Sequence, residues 1–464
     1  MSIDWLNPLD AWFLQVETDT QPMHVGSLLV FDGPAPAYQD YCDHLGSRLD
    51  IVPRYRQRVQ RPPLDLARPY WVDDPHFHLT YHVRHTAVPQ PGGEVQLRAL
   101  AGRIMSQRLD LGRPLWEMWL VEGLEGGRWA VISKVHHAVI DGVSGHELLE
   151  LLLDRDEDPP PPVPSTWQPR PAPSRQDALV EALSWMVRLP VIAGKAAAST
   201  VSKPKSALAT GATTSSGLLR VGRKASGAHG LLNGPIGPHR RWAWGRGDLA
   251  QVKAIKQAAG CTVNDVVLAA IAGGYRQYFI DRGEPVHEEA VQSMVPVSVR
   301  SSDQRGRLGN QVSAMFANLP VDLADPLDRL RAVAEQMHQL KASGEAIGVG
   351  SMVSAAEFVP PTLVTLAARM SSSVGQRLFN TVTTNIPGPQ YPLYLLGRRM
   401  RDMFPYIPIA DGARISIGIV SYNGSLAFAA TGDYDAVPDL DDLCRHIEAA
   451  LHELTAAIVA VEPG

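Results

Sequence analysis

The chain has 464 residues, of which 45% are hydrophobic and 20% are charged, and its formal net charge is −5. At roughly 100–200 residues per domain, this length favours two sizeable domains. The negative charge excludes a globally basic, nucleic-acid-binding protein. The 3 cysteines lie far apart and form neither a disulfide framework nor a zinc-binding pattern.

The N-terminus, "MSIDWLNPLDAWFLQ", carries acidic residues where a secretory signal would need lysine or arginine. No window reaches the roughly 18–20 uncharged apolar residues that a membrane-spanning helix needs. We therefore expect a cytoplasmic protein, and contact with a membrane surface stays open.

The first region mixes strand and helix patterns. "LRALAGRIMSQRL" has helical spacing, whereas "WEMWLVE" and "RWAVISKVHH" read as strands joined by the turn "GLEGG". The earlier stretch "DPHFHLTYHVRH" predicts a strand with one partly polar face. The alternative is a metal site, because His76, His78 and His82 share parity on a strand.

Adjacent histidines end the second of these strands, in "SKVHHAVIDGVSGHELLELLLD". The residues after Gly145 read as a helix, so the sequence predicts a tight strand-to-helix loop from His136 to Gly142. Neighbouring residues at a strand end point to opposite sides, so one imidazole faces any given site and the other packs. An imidazole with a pKa near ~6.5 can take a proton from an attacking hydroxyl at neutral pH. In the same loop, Asp141 can hold the turn and Gly142 permits close backbone approach.

A proline-rich stretch, residues 154–174, then predicts an extended linker. "DALVEALSWMVRLP" follows as an amphipathic helix with Leu179, Leu183 and Met186 on one face. Between Glu181 and Asp248 the chain has no acidic residue but many basic ones: Arg188, Lys195, Lys203, Lys205, Arg220, Arg223, Lys224, Arg240, Arg241 and Arg246. This segment is either a solvated linker or a surface for anionic headgroups or substrate phosphates.

The last region also mixes the two patterns. "DLAQVKAIKQAAG" predicts a helix with Asp248 as N-cap, Gln251 at the capping-box position and Gly260 as the stop, and a second helix follows from Thr262. "ARISIGIVSYNGSLAFAATGDY" predicts a hairpin that turns at Asn423-Gly424. "PDLDDLCRHIEAALHELTAAI" closes the chain as a helix.

The spacing His-His-x-x-x-Asp-Gly resembles the signature of the CoA-dependent acyltransferase superfamily. Further stretches look like the bacterial wax ester synthase/diacylglycerol acyltransferase family. They are "NPLDAWFL", "PMHVGSLLVF", "DLGRPLWEMWLVEGL", "CTVNDVVLAAIAGGYR" and "TTNIPGPQYPLYLLGRRM". The resemblance runs from about residue 6 to the C-terminal helix.

This resemblance implies an α/β fold of two chloramphenicol-acetyltransferase-like domains, with mixed sheets, flanking helices and a channel between the domains. We predict an N-terminal domain over 1–153, the linker over 154–236 and a C-terminal domain over 237–464. The resemblance makes His137 the general base, with His136, Asp141 and Gly142 in the same catalytic motif. It implies substrate-binding roles for Pro114, Leu115, Trp116, Asn264, Asp265, Thr384 and Asn385.

Several of these residues also have simpler interpretations. Trp116 can be a core residue, Asp265 can cap the helix that begins after Thr262, and "NIPGP" can be a turn. A carboxamide such as Asn264 suits an oxyanion donor, but Thr383, Thr384 and Asn385 are rival donors.

The resemblance implies an O-acyltransferase that moves a long acyl chain from acyl-CoA, a co-substrate, to diacylglycerol or a long-chain alcohol. We expect no bound cofactor or metal, no nucleic-acid partner, and peripheral contact with the inner face of the membrane or with lipid droplets. Two alternatives stay open. One is a condensation-type enzyme that acts on a carrier-bound acyl group, and the other is a non-catalytic lipid-binding relative.

Overall fold

The computed structural model describes residues 3–140, 152–160, 165–184, 230–298, 312–342 and 379–461. Strands and helices alternate irregularly along these segments, which confirms the predicted α/β class.

The segment of residues 3–140 begins with short elements and carries the histidines near its end. The strands of residues 3–140 are β1 (Asp4–Trp5), β2 (His24–Phe31), β3 (Gln57–Gln60), β4 (Tyr70–Asp73), β5 (Val83–Ala87), β6 (Trp116–Leu124) and β7 (Arg128–His136). The helices of the same segment are α1 (Pro8–Val16), α2 (Tyr38–Arg48), α3 (Leu79–His82), α4 (Glu94–Ser106) and α5 (His137–Ile140).

The C-terminal half carries longer helices. The strands described after residue 229 are β8 (Asn233–Gly234), β9 (Arg240–Asp248), β10 (Val291–Ser298), β11 (Val312–Leu319), β12 (Thr381–Pro387), β13 (Tyr394–Leu395), β14 (Arg398–Tyr406), β15 (Gly412–Ala413), β16 (Ile415–Tyr422) and β17 (Ser425–Asp433). The helices there are α6 (Leu249–Ala259), α7 (Val263–Asp281), α8 (Pro326–Ala342) and α9 (Leu440–Val461).

Two six-stranded mixed sheets organise the molecule. The first has the order β13-β14-β2-β7-β6-β5, and the second has the order β11-β10-β12-β16-β17-β9. Parallel pairs join β5 to β6, β10 to β12 and β12 to β16, while the other neighbours are antiparallel. Because β14 pairs with β2, residues from the C-terminal half complete the sheet that carries the histidines.

Helix α4 lies where the two halves meet. Its apolar residues Leu97, Leu100 and Ile104 pack in one buried cluster with Trp242 and Trp244 of β9. The helix backbone comes close to this strand, since a Cβ added at Gly102 would stand 2.8 Å from the Arg240 carbonyl oxygen. The lack of a side chain at this position therefore permits the contact between the halves.

The predicted helix boundaries of the second half are confirmed where capping residues marked them. Asp248 accepts a hydrogen bond from the Ala250 N–H, and Gly260 ends α6 in the left-handed conformation with φ 64°. Thr262 caps α7 in a capping box with Asp265. The predicted capping box with Gln251 is wrong, because the Asp248 carboxylate accepts the N–H of Ala250 and not that of Gln251.

Two other predicted elements of the C-terminal half are present as well. The hairpin of β16 and β17 turns at Asn423 and Gly424, both of which have positive φ. Helix α9 closes the chain with Leu440, Leu443 and Ile447 buried. Among the described residues no single helix is long and apolar enough to span a membrane, and α6 and α7 pass that test only as a pair bent by 105°.

The histidine-rich stretch before β5 departs from its predicted strand. Residues Leu79–His82 form a helical turn, and the strand begins only at Val83. The His82 ring packs between Phe77 and Trp116, and its Nδ1 lies 2.9 Å from the Trp116 carbonyl oxygen. Aromatic packing therefore overrides the alternation that the sequence indicated.

The described parts of the predicted linker contact both halves. Arg170 forms an ion pair with buried Asp73 at 3.1 Å, and Asp154 pairs with Tyr394 as an isolated bridge. Residues 175–184 are helical, but Ala178 and Ala182 are the residues this helix buries. The predicted apolar face is wrong at Leu183, because this side chain is 46% exposed.

The basic segment is described only in part. Residues 185–229, which include Met186 of the predicted amphipathic helix, lie outside the described residues. Arg240, Arg241 and Arg246 are described on β9, where protein groups hold their side chains. Arg240 donates to the carbonyls of Gly237 and His239, Arg241 to that of Tyr434, and Arg246 to Asp402.

Candidate active site at the histidine turn

The two histidines lie at the junction of β7 and α5, which we call the histidine turn (His136–Ile140). Strand β7 is held on both edges, by β2 and by β6. Where it ends, the His136 N–H donates to the Leu115 carbonyl at 2.9 Å and the His137 N–H donates to the Met23 carbonyl at 2.8 Å. The sequence predicted a loop from His136, whereas a helical turn begins directly at His137.

The first imidazole is fully enclosed. His136 has no exposed surface, and its Nδ1 accepts the Ala138 N–H at 3.0 Å. Because a backbone N–H can only donate, the neutral ring carries its proton on Nε2. Burial, and then the charge of Arg108, lower its pKa from 6.5 to about 4. His136 is therefore neutral at physiological pH and stabilises the turn.

The second imidazole is half-buried and lies on an aromatic platform. The His137 ring stacks on Phe13, with 3.8 Å between ring centroids and 22° between ring planes. Trp12 in turn meets Phe13 edge-on at 5.2 Å. The stack places one face of the His137 ring against α1.

Helix α1 supplies this platform, and the sequence explains why it begins where it does. Asn7 is the N-cap, and its side-chain oxygen accepts the Asp10 N–H at 2.8 Å. Pro8 occupies the first turn, where a missing N–H costs nothing. The quoted motif "NPLDAWFL" thus encodes a helix start followed by Phe13. The sequence alone does not distinguish Phe13, because an aromatic residue on an amphipathic helix is typical of any core.

Beneath the turn, the same face of the sheet carries a buried lysine and a buried histidine. Lys134 donates from Nζ to the carbonyls of Ile104 and Gln107 at the end of α4, and burial lowers its pKa to about 8. His24 pairs with His136 across β2 and β7, and burial lowers its pKa well below 6.5. His24 Nε2 lies 2.7 Å from the Met105 carbonyl oxygen, so Lys134 and His24 both hold the end of α4 against the sheet.

The predicted Pro114-Leu115-Trp116 segment lies against the histidine turn. The Leu115 carbonyl holds the His136 N–H, so this segment contacts the motif through its backbone. Trp116 is 1% exposed, its Nε1–H donates to the Tyr55 carbonyl at 2.8 Å, and its ring stacks on Tyr55. Trp116 is therefore a core residue, as its simpler interpretation held.

The other predicted site residues lie in the C-terminal half. Asp265 is buried, and its carboxylate accepts the Thr262 N–H at 2.9 Å, so it serves the cap of α7. Asn264, in the same first turn, is half-buried. Neither residue takes part in the hydrogen bonds of the histidine turn given above.

The segment "TTNIPGP" is mainly a strand. Thr384 and Asn385 are half-buried on β12, opposite Gly418 and Ile419 of β16. Thr383 is buried, and its hydroxyl accepts a hydrogen bond from Ser293 at 2.8 Å. The predicted turn is thus replaced by a strand that continues to Pro387.

Two predicted residues, Asp141 and Gly142, lie outside the described residues. Within the described segments, no group of three or more histidine, cysteine or carboxylate side chains is placed to hold a metal ion.

Comparison with solved structures identifies the class of fold. The wax ester synthase/diacylglycerol acyltransferase from Marinobacter aquaeolei VT8 aligns with a TM-score of 0.71 and 26% identity, over 98% of this chain and 100% of that one. The first condensation domain of the CDA synthetase aligns with a TM-score of 0.56 and 15% identity, over 98% and 96% of the two chains. The fold is therefore that of the acyltransferases and condensation domains related to chloramphenicol acetyltransferase.

Sequence comparison narrows the class to a family. Residues 6–267 match the wax ester synthase/diacylglycerol acyltransferase catalytic domain, and residues 308–455 match the C-terminal domain of the same family. A probable diacylglycerol O-acyltransferase of Mycobacterium tuberculosis is 36% identical over 461 residues, 97% of this chain and 96% of that protein. A putative diacylglycerol O-acyltransferase of Mycobacterium bovis is 34% identical over 470 residues, 98% and 100% of the two. The chain belongs to the wax ester synthase/diacylglycerol acyltransferase family and is an acyltransferase.

Proposed function

We propose that this enzyme transfers a long acyl chain from acyl-CoA to the hydroxyl of diacylglycerol or a long-chain alcohol, with His137 as the general base. The observation that supports this proposal most strongly is the different environment of the two histidines. His136 is buried with Nδ1 occupied, while His137 is half-buried on the Phe13 platform. Diacylglycerol is the first acceptor to test, because relatives that are 34–36% identical are named diacylglycerol O-acyltransferases.

The chemistry needs only one imidazole. His137 takes the proton of the acceptor hydroxyl while that oxygen attacks the thioester carbonyl carbon, and a tetrahedral intermediate forms. The intermediate collapses by breaking the carbon–sulfur bond, and the imidazolium returns its proton to the leaving thiolate. A thioester is already activated, so no covalent enzyme intermediate, bound cofactor or metal is required.

The developing oxyanion needs a hydrogen-bond donor. We propose Asn264 and Asn385 as donors, since both carboxamides are half-buried. Of the two threonine rivals, Thr383 is less suitable because its hydroxyl is buried against Ser293, whereas the half-buried Thr384 stays a rival donor. Asp141 and Gly142 keep their proposed role of holding the motif.

We also propose that the substrates meet in a channel between the N-terminal and C-terminal domains, and that the cytoplasmic enzyme docks on a membrane or lipid-droplet surface. Diacylglycerol and its acylated product are insoluble in water, which favours catalysis at a lipid surface. The helix of residues 175–184 supports this, because Val180 and Leu183 are 67% and 46% exposed beside the basic segment.

The test measures CoA release from palmitoyl-CoA by purified enzyme with diacylglycerol or hexadecanol added, and identifies the lipid products. We expect acceptor-dependent release by the wild type and a loss of at least ~100-fold for His137→Ala, in the range that a general base contributes. The acceptor with the higher kcat/KM decides between triacylglycerol and wax ester synthesis.

The matched control is His452→Ala, which removes an exposed imidazole from α9. It should leave turnover unchanged. A folded His137→Ala enzyme with wild-type turnover would refute the proposal. Acyl-CoA binding without CoA release would favour a non-catalytic lipid-binding protein, and release only with a carrier-bound acyl group would favour a condensation-type enzyme.

A further inference from the structure

We propose that Glu17 is a positioning residue for His137 and acts through the backbone of Met23. This inference rests on the proposed role of His137 as the base. Glu17 follows the end of α1, and its side chain is 1% exposed. A carboxylate is seldom buried without a structural or functional partner, so its contacts bear directly on the site.

Two consecutive hydrogen bonds link Glu17 to His137. The carboxylate oxygen Oε1 of Glu17 accepts the Met23 N–H at 3.2 Å. The carbonyl of the same residue, Met23, accepts the His137 N–H at 2.8 Å. Glu17 thus orients the residue that holds the start of α5, and the Phe13 platform lies one turn earlier on the helix that Glu17 follows.

The loop that carries Met23 is fixed at other points as well. This loop, residues 18–23, is closed by reciprocal backbone hydrogen bonds of 3.2 Å between Thr18 and Gln21. From the C-terminal half, the buried guanidinium of Arg240 donates to the Thr20 carbonyl. The loop is therefore a rigid support. Its last residue, Met23, holds His137 through its carbonyl, and its own N–H needs an acceptor, which Glu17 provides.

The second oxygen of Glu17 serves to anchor the carboxylate. Arg108, which follows α4, donates to Glu17 Oε2 at 3.0 Å and also pairs with Asp19. Because Arg108 keeps Asp19 as a partner, neutralising Glu17 does not leave this guanidinium unpaired. Charge and reach of the Glu17 side chain can thus be separated experimentally.

A direct contact between Glu17 and the histidine pair does not explain its burial. Glu17 Oε1 lies 3.8 Å from His136 Nε2, which exceeds hydrogen-bonding distance. His136 is neutral, because burial lowers its pKa to about 4, so no ion pair forms. The path through Met23 has hydrogen-bond geometry at both steps.

The test compares Glu17→Gln with Glu17→Asp. Glutamine removes the charge but keeps an oxygen at the same reach, so it should still accept the Met23 N–H. Aspartate keeps the charge but withdraws the oxygen by one carbon–carbon bond, about 1.5 Å. We expect Gln to retain kcat within about threefold, and Asp to lower kcat at least ~10-fold with KM for palmitoyl-CoA within about twofold, since ~1 Å misplacements cost up to ~100-fold.

The readout is the division between kcat and KM, measured on enzyme whose melting temperature shows that it is folded. A purely structural role of Glu17 would change the melting temperature, but it would not make kcat of Glu17→Asp lower than kcat of Glu17→Gln. An Asp variant with wild-type kcat, or a Gln variant as slow as Asp, would overturn the proposal. If Asp does not fold, Glu17→Ala makes the same comparison, because it also removes the acceptor.

His137→Ala in the same series keeps this inference distinct from the proposed function. If His137→Ala is inactive and both Glu17 variants match the wild type, only the role of Glu17 fails. If His137→Ala turns over normally, the proposed base fails first.

Discussion

The neutral state of His136 predicts a specific loss of stability in mild acid. The pKa of this imidazole is about 4 in the folded protein and 6.5 without the fold. A histidine whose folded pKa is depressed favours the folded state above the unfolded pKa. As the pH falls from 6.5 towards 4, the unfolded chain takes up a proton that the folded protein does not, so the free energy of unfolding decreases.

The magnitude follows from the two pKa values. At about 1.4 kcal/mol per pKa unit, His136 alone lowers the free energy of unfolding by about 2 kcal/mol between pH 8 and pH 5. His24, His44 and His82 are also buried with lowered pKa values, so they add to the same pH dependence. The contribution of His136 must therefore be isolated by a variant.

His136→Asn is suitable, because the asparagine side-chain oxygen can replace Nδ1 as the acceptor of the Ala138 N–H without a titrating group. Urea unfolding followed by tryptophan fluorescence, at pH 8 and pH 5, gives the free energy of unfolding for each protein. We expect the difference between the two pH values to be about 2 kcal/mol smaller in the variant than in the wild type. His452→Asn, on the exposed face of α9, should match the wild type. An unchanged pH dependence in His136→Asn would refute the assignment of His136 as a buried neutral imidazole.

Two further predictions concern the α7 cap and the surface helix. Thr262→Ala removes the hydroxyl that accepts the Asp265 N–H. The free energy of unfolding should therefore fall by about 1 kcal/mol, while kcat of the folded enzyme stays unchanged. A lower kcat at unchanged stability would instead give this cap a role in the reaction. Val180→Ser with Leu183→Ser should reduce co-flotation with vesicles of phosphatidylcholine and phosphatidylglycerol, whereas Val459→Ser, which alters a 68% exposed valine on α9, should not. Equal flotation of all three proteins would contradict docking through the 175–184 helix.

Local signals in the sequence determined many of the elements. Asp248, Gly260 and Thr262 each act on backbone groups within a few residues, so their caps and stops could be predicted without the fold. The Asn423-Gly424 turn is equally local, because both residues adopt the positive φ that it requires. Alternation along a strand likewise predicted that one of the adjacent histidine rings packs, and His136 is buried.

Contacts between distant segments could be decided only by the tertiary structure. Strand β14 completes the sheet that carries the histidines, and its own sequence does not indicate that β2 is its partner. Phe13, Glu17 and Met23 lie more than a hundred positions before His137, yet they hold its ring and its backbone. The sequence determined which residues are candidates for the chemistry, because that depends on side-chain type and near neighbours. The tertiary structure determined what positions them, because the hydrogen bonds and stacking that do so form only when remote segments come together.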